Sequence, residues 1–201
     1  MYFKKNTLND ILIINNRVVG VLVVKKKKSK KNNKCNTLVK YFFIFFTCCL
    51  IGWIYEEVYY LIDRGKLINS GFLYGPYLPV YGVGGIFIYM FTNKYKKNPV
   101  IIFILSFVIA GIVEYLTGHI LWQIFHRRWW DYTGFFLNVD GYICLMSLSI
   151  FAVAALFLIY LVVPNLEKLL KKLGNEKCKY ISIIISFIMI IDFIITITHR
   201  Y

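Results

Sequence analysis

Long apolar runs restrict this chain more than any other feature of its sequence. Residues 41–62, 100–125, 142–163 and 180–197 each come close to or exceed the roughly 20 residues that a helix needs to cross about 30 Å of hydrocarbon. A fifth run, residues 77–91, is shorter and carries Pro79, Gly82, Gly84 and Gly85, as a kinked span or a re-entrant segment buried in protein would. Of the 201 residues, 59% are apolar, too many for one water-bounded core of this size. A soluble globular enzyme is therefore excluded. So is a disordered basic protein, because disorder requires low hydrophobicity. The expected fold class is all-α: a polytopic transmembrane helix bundle of about five spans, multi-pass in the plasma membrane.

The formal net charge is +14, and its distribution gives the orientation. Residues 1–40 hold 11 Lys/Arg and one acid, Asp10, for +10, while the rest of the chain carries +4. The sequence thus divides into a basic cytoplasmic arm, 1–40, and a transmembrane helical domain, 41–201. The arm has no aromatics interleaved with its lysine cluster and abuts a span, so no nucleic-acid partner is expected; the bilayer is, with anionic headgroups near the lysines. Its apolar stretch, 11–24, is too short to span, and lysines follow it where a signal-peptide cleavage site needs small residues. With all five segments crossing and the amino terminus inside, 19 Lys/Arg fall on the cytoplasmic side and five outside, in agreement with the positive-inside rule. The carboxyl terminus is then outside.

Four acids fall within the runs: Glu56, Glu57, Glu114 and Asp192. A charge at the centre of a span costs at least about 2.5–3.5 kcal/mol, so such residues need partners or water. Measured from the cytoplasmic ends, Glu56 lies about 22 Å across, Glu114 about 21 Å and Asp192 about 18 Å. A shared polar intramembrane site explains that coincidence; protonated or hydrogen-bonded acids that merely fix packing are the plainer reading. Gly52 shares a stripe with Glu56, Gly111 and Gly118 with Glu114, and Thr196 and His199 with Asp192, which turns the acids toward close helix contacts. His119 is added to the candidate site, although it lies about 140° around the helix from Glu114. No metal site and no cofactor is expected, since HExxH is absent, and the five cysteines form no CxxC pair and read as small apolar filler. His126, Arg127, Arg128, Trp129 and Trp130 read as an interfacial anchor.

Two outer loops stand out. Residues 63–85 are rich in glycine and proline but lack GxGxxG spacing, so no nucleotide fingerprint is present. Its candidate residues are Tyr74, Gly75, Pro76, Tyr81 and Gly82. Residues 128–140 supply Arg128, Trp130, Asp131, Tyr132 and Asn138; Asp131 lies near the arginines, and Asn138 or Asp140 is expected to cap the next helix. Further on, residues 165–173 (NLEKLLKKL) are amphipathic and read as a helix in the headgroup plane, with a coupling helix as the alternative.

The pieces GWIYE (52–56), SGFLYGPYLPVYGVGG (70–85), EYLTG (114–118) and RWWDYTGFFLNVDGYICL (128–145) together resemble the bacterial integral-membrane proteins known as ABC-transporter type IV permeases, over about residues 40–165. The resemblance implies a permease subunit working with a separate ATP-binding-cassette ATPase, and the chain has no Walker A motif of its own. A second copy of the chain is a further candidate partner. No catalytic residue is carried over, and the chain is not expected to be an enzyme. Two other classes remain. An intramembrane protease or envelope-lipid enzyme is suggested by carboxylates and histidines near the outer face, but the EExxxR pattern begun at Glu56 and Glu57 has Leu61 in place of its arginine. The other is a non-catalytic membrane scaffold or regulator.

Overall fold

A computed structural model describes residues 36–67 and 71–200, the side chain of Arg200 excepted. The readings placed on the arm, with Cys35, lie outside these residues. The described chain is helical: α1 (Thr37–Arg64), α2 (Pro79–Thr92), α3 (Pro99–Phe125), α4 (Leu145–Phe157), α5 (Val163–Leu173) and α6 (Asn175–Arg200). No strand forms among the described residues beyond an isolated antiparallel bridge between Val139 and Ile143. Four helices are long and apolar enough to span: Thr37–Arg64, Pro99–Phe125, Leu145–Leu173 and Asn175–His199.

Local chemistry sets the helix ends. Asn36 caps α1 by accepting from the Leu38 amide, and Asn98 caps α3 by accepting from Val100 and Ile101. Pro79 and Pro99 open α2 and α3 where a missing N–H costs nothing. At α4 the expected caps are corrected: the N-cap is Cys144, whose Sγ accepts from the Ser147 amide while the Ser147 hydroxyl accepts from the Cys144 amide. Asn138 instead donates to the Phe135 carbonyl, and Asp140 accepts from the Tyr115 hydroxyl.

The first outer loop ends earlier than expected, because residues 79–85 are helical. α2 has only 14 residues, about 21 Å, and does not cross alone. The non-helical segment before it descends beside α1, where Leu73 and Tyr77 bury against Cys49 and the Leu78 amide donates to the Cys49 carbonyl. From that depth α2 runs antiparallel to α1 as far as Tyr89, whose ring meets Tyr41 and Lys40. Close approach is what the glycines of α2 permit: a Cβ on Gly82 would stand 2.6 Å from the Phe45 ring. The fifth pass is thus an irregular descent completed by a half-length helix, tolerated because protein covers it.

α4 and α5 are joined without a break through a π-helical turn, Leu158–Val162. Pro164 explains it: proline has no amide to donate four residues back and its ring crowds that carbonyl, so the helix widens and Val163 donates to Leu158 instead. Residues 165–173 therefore continue a span and do not lie in the headgroup plane. The composite helix of 29 residues is about 44 Å long, more than the hydrocarbon thickness. At this end Lys40 pairs with Glu167 at 2.6 Å, the Tyr160 hydroxyl donates to the Lys96 carbonyl, and the Asn36 amide donates to Asn175. The lysines of residues 94–97 and 168–179 thus share one end of the bundle. The core there is built on Ile44, Ile88, Ile102, Ala155, Ile159 and Val163.

Candidate functional site

Glu114 is buried on α3 at 6% exposure. The Tyr132 hydroxyl donates to its Oε1 at 2.9 Å, and the Ser147 hydroxyl lies 3.2 Å from its Oε2. Tyr132 comes from the second outer loop and Ser147 from the first turn of α4, held there by its capping bonds with Cys144. Glu56 on α1 is met from α2, where the Tyr81 hydroxyl donates to Oε1 at 3.0 Å. Gly52, one turn before Glu56, makes room for the Tyr81 ring, against which any Cβ at that position would press. Glu56 and Glu114 are within electrostatic reach of each other, and Tyr81 of Tyr132. Two carboxyls and two phenols from four segments thus form one polar cluster within the bundle.

Asp192 stands apart from this pair. Its carboxylate accepts from the amides of Tyr74 and Gly75 at 3.2 and 2.9 Å, from the Tyr77 hydroxyl at 2.5 Å, and from Thr196 at 3.4 Å. An acid on the last helix thereby fixes the turn by which the chain descends toward α2. The coincidence of depth among the three acids has two causes: a Glu56–Glu114 cluster and a separate anchor.

Glu57, beside Glu56 in sequence, points about 100° away around the helix. It is 7% exposed, and among the described residues its Oε1 has no hydrogen-bond partner. His119 is exposed and belongs to an aromatic group with Tyr115 and Tyr142, at ring distances of 6.2 and 5.9 Å, not to the Glu114 cluster. Pro76 is exposed at the loop turn.

The second outer loop folds into an ordered cap. The Trp130 indole donates to the Tyr142 carbonyl at 2.9 Å, the Tyr132 amide donates to Gly141, and Arg128 pairs with Asp131 at 3.0 Å while lying over the Tyr142 ring. The Thr133 hydroxyl and amide, with Arg128 adding its charge, hold the Asp131 carboxyl below the ordinary carboxylate range. Aromatic residues and arginines at a span end suit the bilayer interface. Ser147 and Tyr77 complete the acid contacts without any sequence motif to announce them. The Asp192–Thr196 spacing of one turn is the one partial signal.

Phenol-bonded carboxyls can exchange protons or take up a cation. Among the described residues no group of three or more His, Cys, Asp and Glu is placed to hold a metal ion. Spanning helices, carboxyls held between them and an aromatic cap define a multi-pass membrane protein, at home in a lipid bilayer. The chain belongs to the family described as "Putative ABC-transporter type IV", whose model matches residues 43–197, from the second turn of α1 to the last turn of α6. It is accordingly a transporter-associated membrane protein. No curated protein and no solved structure matches it.

Proposed function

We propose that the chain is the membrane subunit of an ABC-type transporter for a small solute in the bacterial plasma membrane. Its basic arm lies in the cytoplasm, and a separate ATP-binding-cassette subunit hydrolyses the ATP. The family match over residues 43–197 carries this reading. It is supported by the length of α4–α5, which exceeds the hydrocarbon and puts the α5–α6 turn at Gly174 beyond it. Exposed Lys168, Lys171, Lys172 and Lys177 surround that turn, a surface suited to an acidic partner as well as to anionic lipid. The Glu56–Glu114 cluster is the proposed polar site on the solute's path, and no catalytic role is assigned to the chain itself.

Affinity purification from native membranes tests the reading. An ATP-binding-cassette ATPase is expected to co-purify and to be lost when Lys171 and Lys172 become Glu in a protein that still elutes as a folded species. Absence of any such ATPase under conditions that preserve the bundle would refute it.

A second reading, a non-catalytic scaffold, has one observation in its favour: the bonds of Asp192 and Glu114 serve the two outer loops. It expects folded Glu56→Gln and Glu114→Gln variants to support every transport phenotype at the wild-type level. An intramembrane enzyme has no comparable support.

A further inference from the structure

An open groove of about 410 Å³ runs along α3 beside the start of α4. Helical spacing explains its shape. Phe107, Gly111 and Tyr115 form one ridge at intervals of four residues, and Val108, Ile112 and Leu116 form the next. Gly111 has no side chain, so the first ridge is broken at its middle. The opposite wall is Leu148, whose methyl groups would stand 3.5 Å from a Cβ on Gly111, with Ile143 above it. Val108, Ile112 and Leu116 are each about half exposed, so the groove is apolar and opens toward the bilayer.

Depth limits what can fill it. α3 begins at Pro99, directly after the lysines of residues 94–97, and residues 107–116 lie about 12–26 Å along it at about 1.5 Å per residue. In about 30 Å of hydrocarbon that is the outer leaflet's half. A spanning helix of a second copy would lie along the whole height of α3 as a rod about 10 Å wide. A groove of half that height suits a single acyl chain. Its outer end is polar: the Tyr115 hydroxyl donates to Asp140 at 2.8 Å, and Val139 is bridged to Ile143, so residues 139–140 stand at the mouth. The Tyr142 ring packs edge-on against Tyr115 at 5.4 Å and carries the Arg128 guanidinium 4.9 Å from its centre. Among the described residues Arg128 pairs with Asp131, whereas exposed Asp140 pairs with no cation. The uncompensated charge at the mouth is therefore negative. A headgroup without an amine would set its phosphate against that carboxylate. An ammonium satisfies it, and the guanidinium, with five N–H donors, has some beyond its bond to Asp131 for the adjoining phosphate. A quaternary ammonium brings the charge but no N–H.

We propose that this groove holds one acyl chain of an outer-leaflet phospholipid with a primary-amine headgroup, its ammonium at Asp140 and its phosphate at Arg128. The site is independent of the transporter reading, since it requires neither an ATPase nor a solute.

The full chain is placed in phosphatidylcholine nanodiscs doped in turn with phosphatidylethanolamine, phosphatidylglycerol and phosphatidylcholine of identical chains, each with a diazirine on one chain. After irradiation, peptide mapping compares the groove, residues 107–116 and 143–148, with the exposed apolar face of α6, residues 183–194, which reports bulk lipid. The ethanolamine probe is expected to label the groove about fivefold above α6 and about fivefold above the other two probes, the selectivity of a part-exposed charge pair. Asp140→Asn should lower the ethanolamine value to that of the glycerol probe. Ile112→Trp, a bulky side chain at an exposed groove position, should lower it to that of α6. The proposal is overturned if groove and α6 label alike, if the three headgroups label the groove alike, or if a folded Asp140→Asn protein keeps its preference. Disulfide formation between copies of Ile112→Cys, with groove labelling no higher than α6, would place a second copy there and overturn it equally. Should Asp140→Asn fail to fold, the wild-type comparison of headgroups still decides.

Discussion

The Tyr77 hydroxyl donates to Asp192 Oδ2 at 2.5 Å, joining residues 115 positions apart. This bond and the two amide bonds from Tyr74 and Gly75 tie the last helix to the descending segment. Asp192→Ala removes all three and leaves two amides without their acceptor, so a loss of about 3 kcal/mol is expected. Thermal unfolding in detergent reads the loss, and limited proteolysis between residues 71 and 78 reads the loosening. An unchanged melting point with an unchanged cleavage rate would show that Asp192 does not hold the segment.

At Glu114 the order of variants matters more than any one value. Glu114→Gln keeps an acceptor for Tyr132 and should cost under about 1 kcal/mol. Tyr132→Phe should cost about 1–2 kcal/mol, and Glu114→Ala more than either, because it leaves two hydroxyls without this partner and opens a cavity. If Glu114→Gln were the most damaging of the three, a buried charge would have to stabilise the fold.

Gly141 has φ +72°, and a Cβ there would stand 2.6 Å from Asp131 Oδ1 and 2.7 Å from Thr133 Oγ1. Gly134 has φ +91° with nothing within 4 Å. Gly141→Ala should therefore cost about 2–3 kcal/mol and alter Trp130 fluorescence, whereas Gly134→Ala bears the backbone strain alone, about 1 kcal/mol. Equal destabilisation by the two would mean that the crowding around Gly141 is relieved at no cost.

Asp131 gives the outer cap an acid limit. Its folded pKa is below the ordinary 3.8, so the stabilisation is present above that value and is lost as pH falls through the lower, folded one. The difference in melting temperature between wild type and Asp131→Asn should be constant down to about pH 4.5 and should narrow below it, modestly, since the side chain is half exposed. A gap that widened toward acid pH would contradict the assigned direction.

The orientation predicts opposite labelling at two engineered cysteines. Thr133→Cys should react with a membrane-impermeant maleimide in intact cells, and Lys172→Cys only after permeabilisation. The reverse pattern would place the arm outside.

Run length and hydrophobicity made the four long helices legible, because crossing a bilayer leaves few alternatives. The fifth pass was harder to place: the glycines at 82, 84 and 85 read as loop residues, yet all three are helical, and Gly82 and Gly85 serve close packing against α1. Nor could residue spacing separate Glu56 from Glu57, since their different environments depend on which neighbour each face of α1 meets. Asp192 was visible as an acid with Thr196 one turn on, but its partners Tyr74, Gly75 and Tyr77 lie more than a hundred residues away along the chain, and no periodicity reports such a contact. Ser147 was hidden in the same way, an ordinary helix-start serine until α3 brings Glu114 against it.

The π-helical turn at Leu158–Val162 also sets an angular phase. A wide turn accommodates one residue more than an α-helical turn, and each residue rotates the helix by about 100°. Everything beyond Val162 is therefore turned relative to the direction that the α4 pattern alone would give. That rotation aims Glu167 at Lys40 and buries Leu170 where its carbonyl meets the Cys178 thiol. Removing one residue from the turn would regularise the helix and swing this face away from α1, so the irregular turn is what keeps the membrane-embedded and projecting parts of one helix in register with different neighbours.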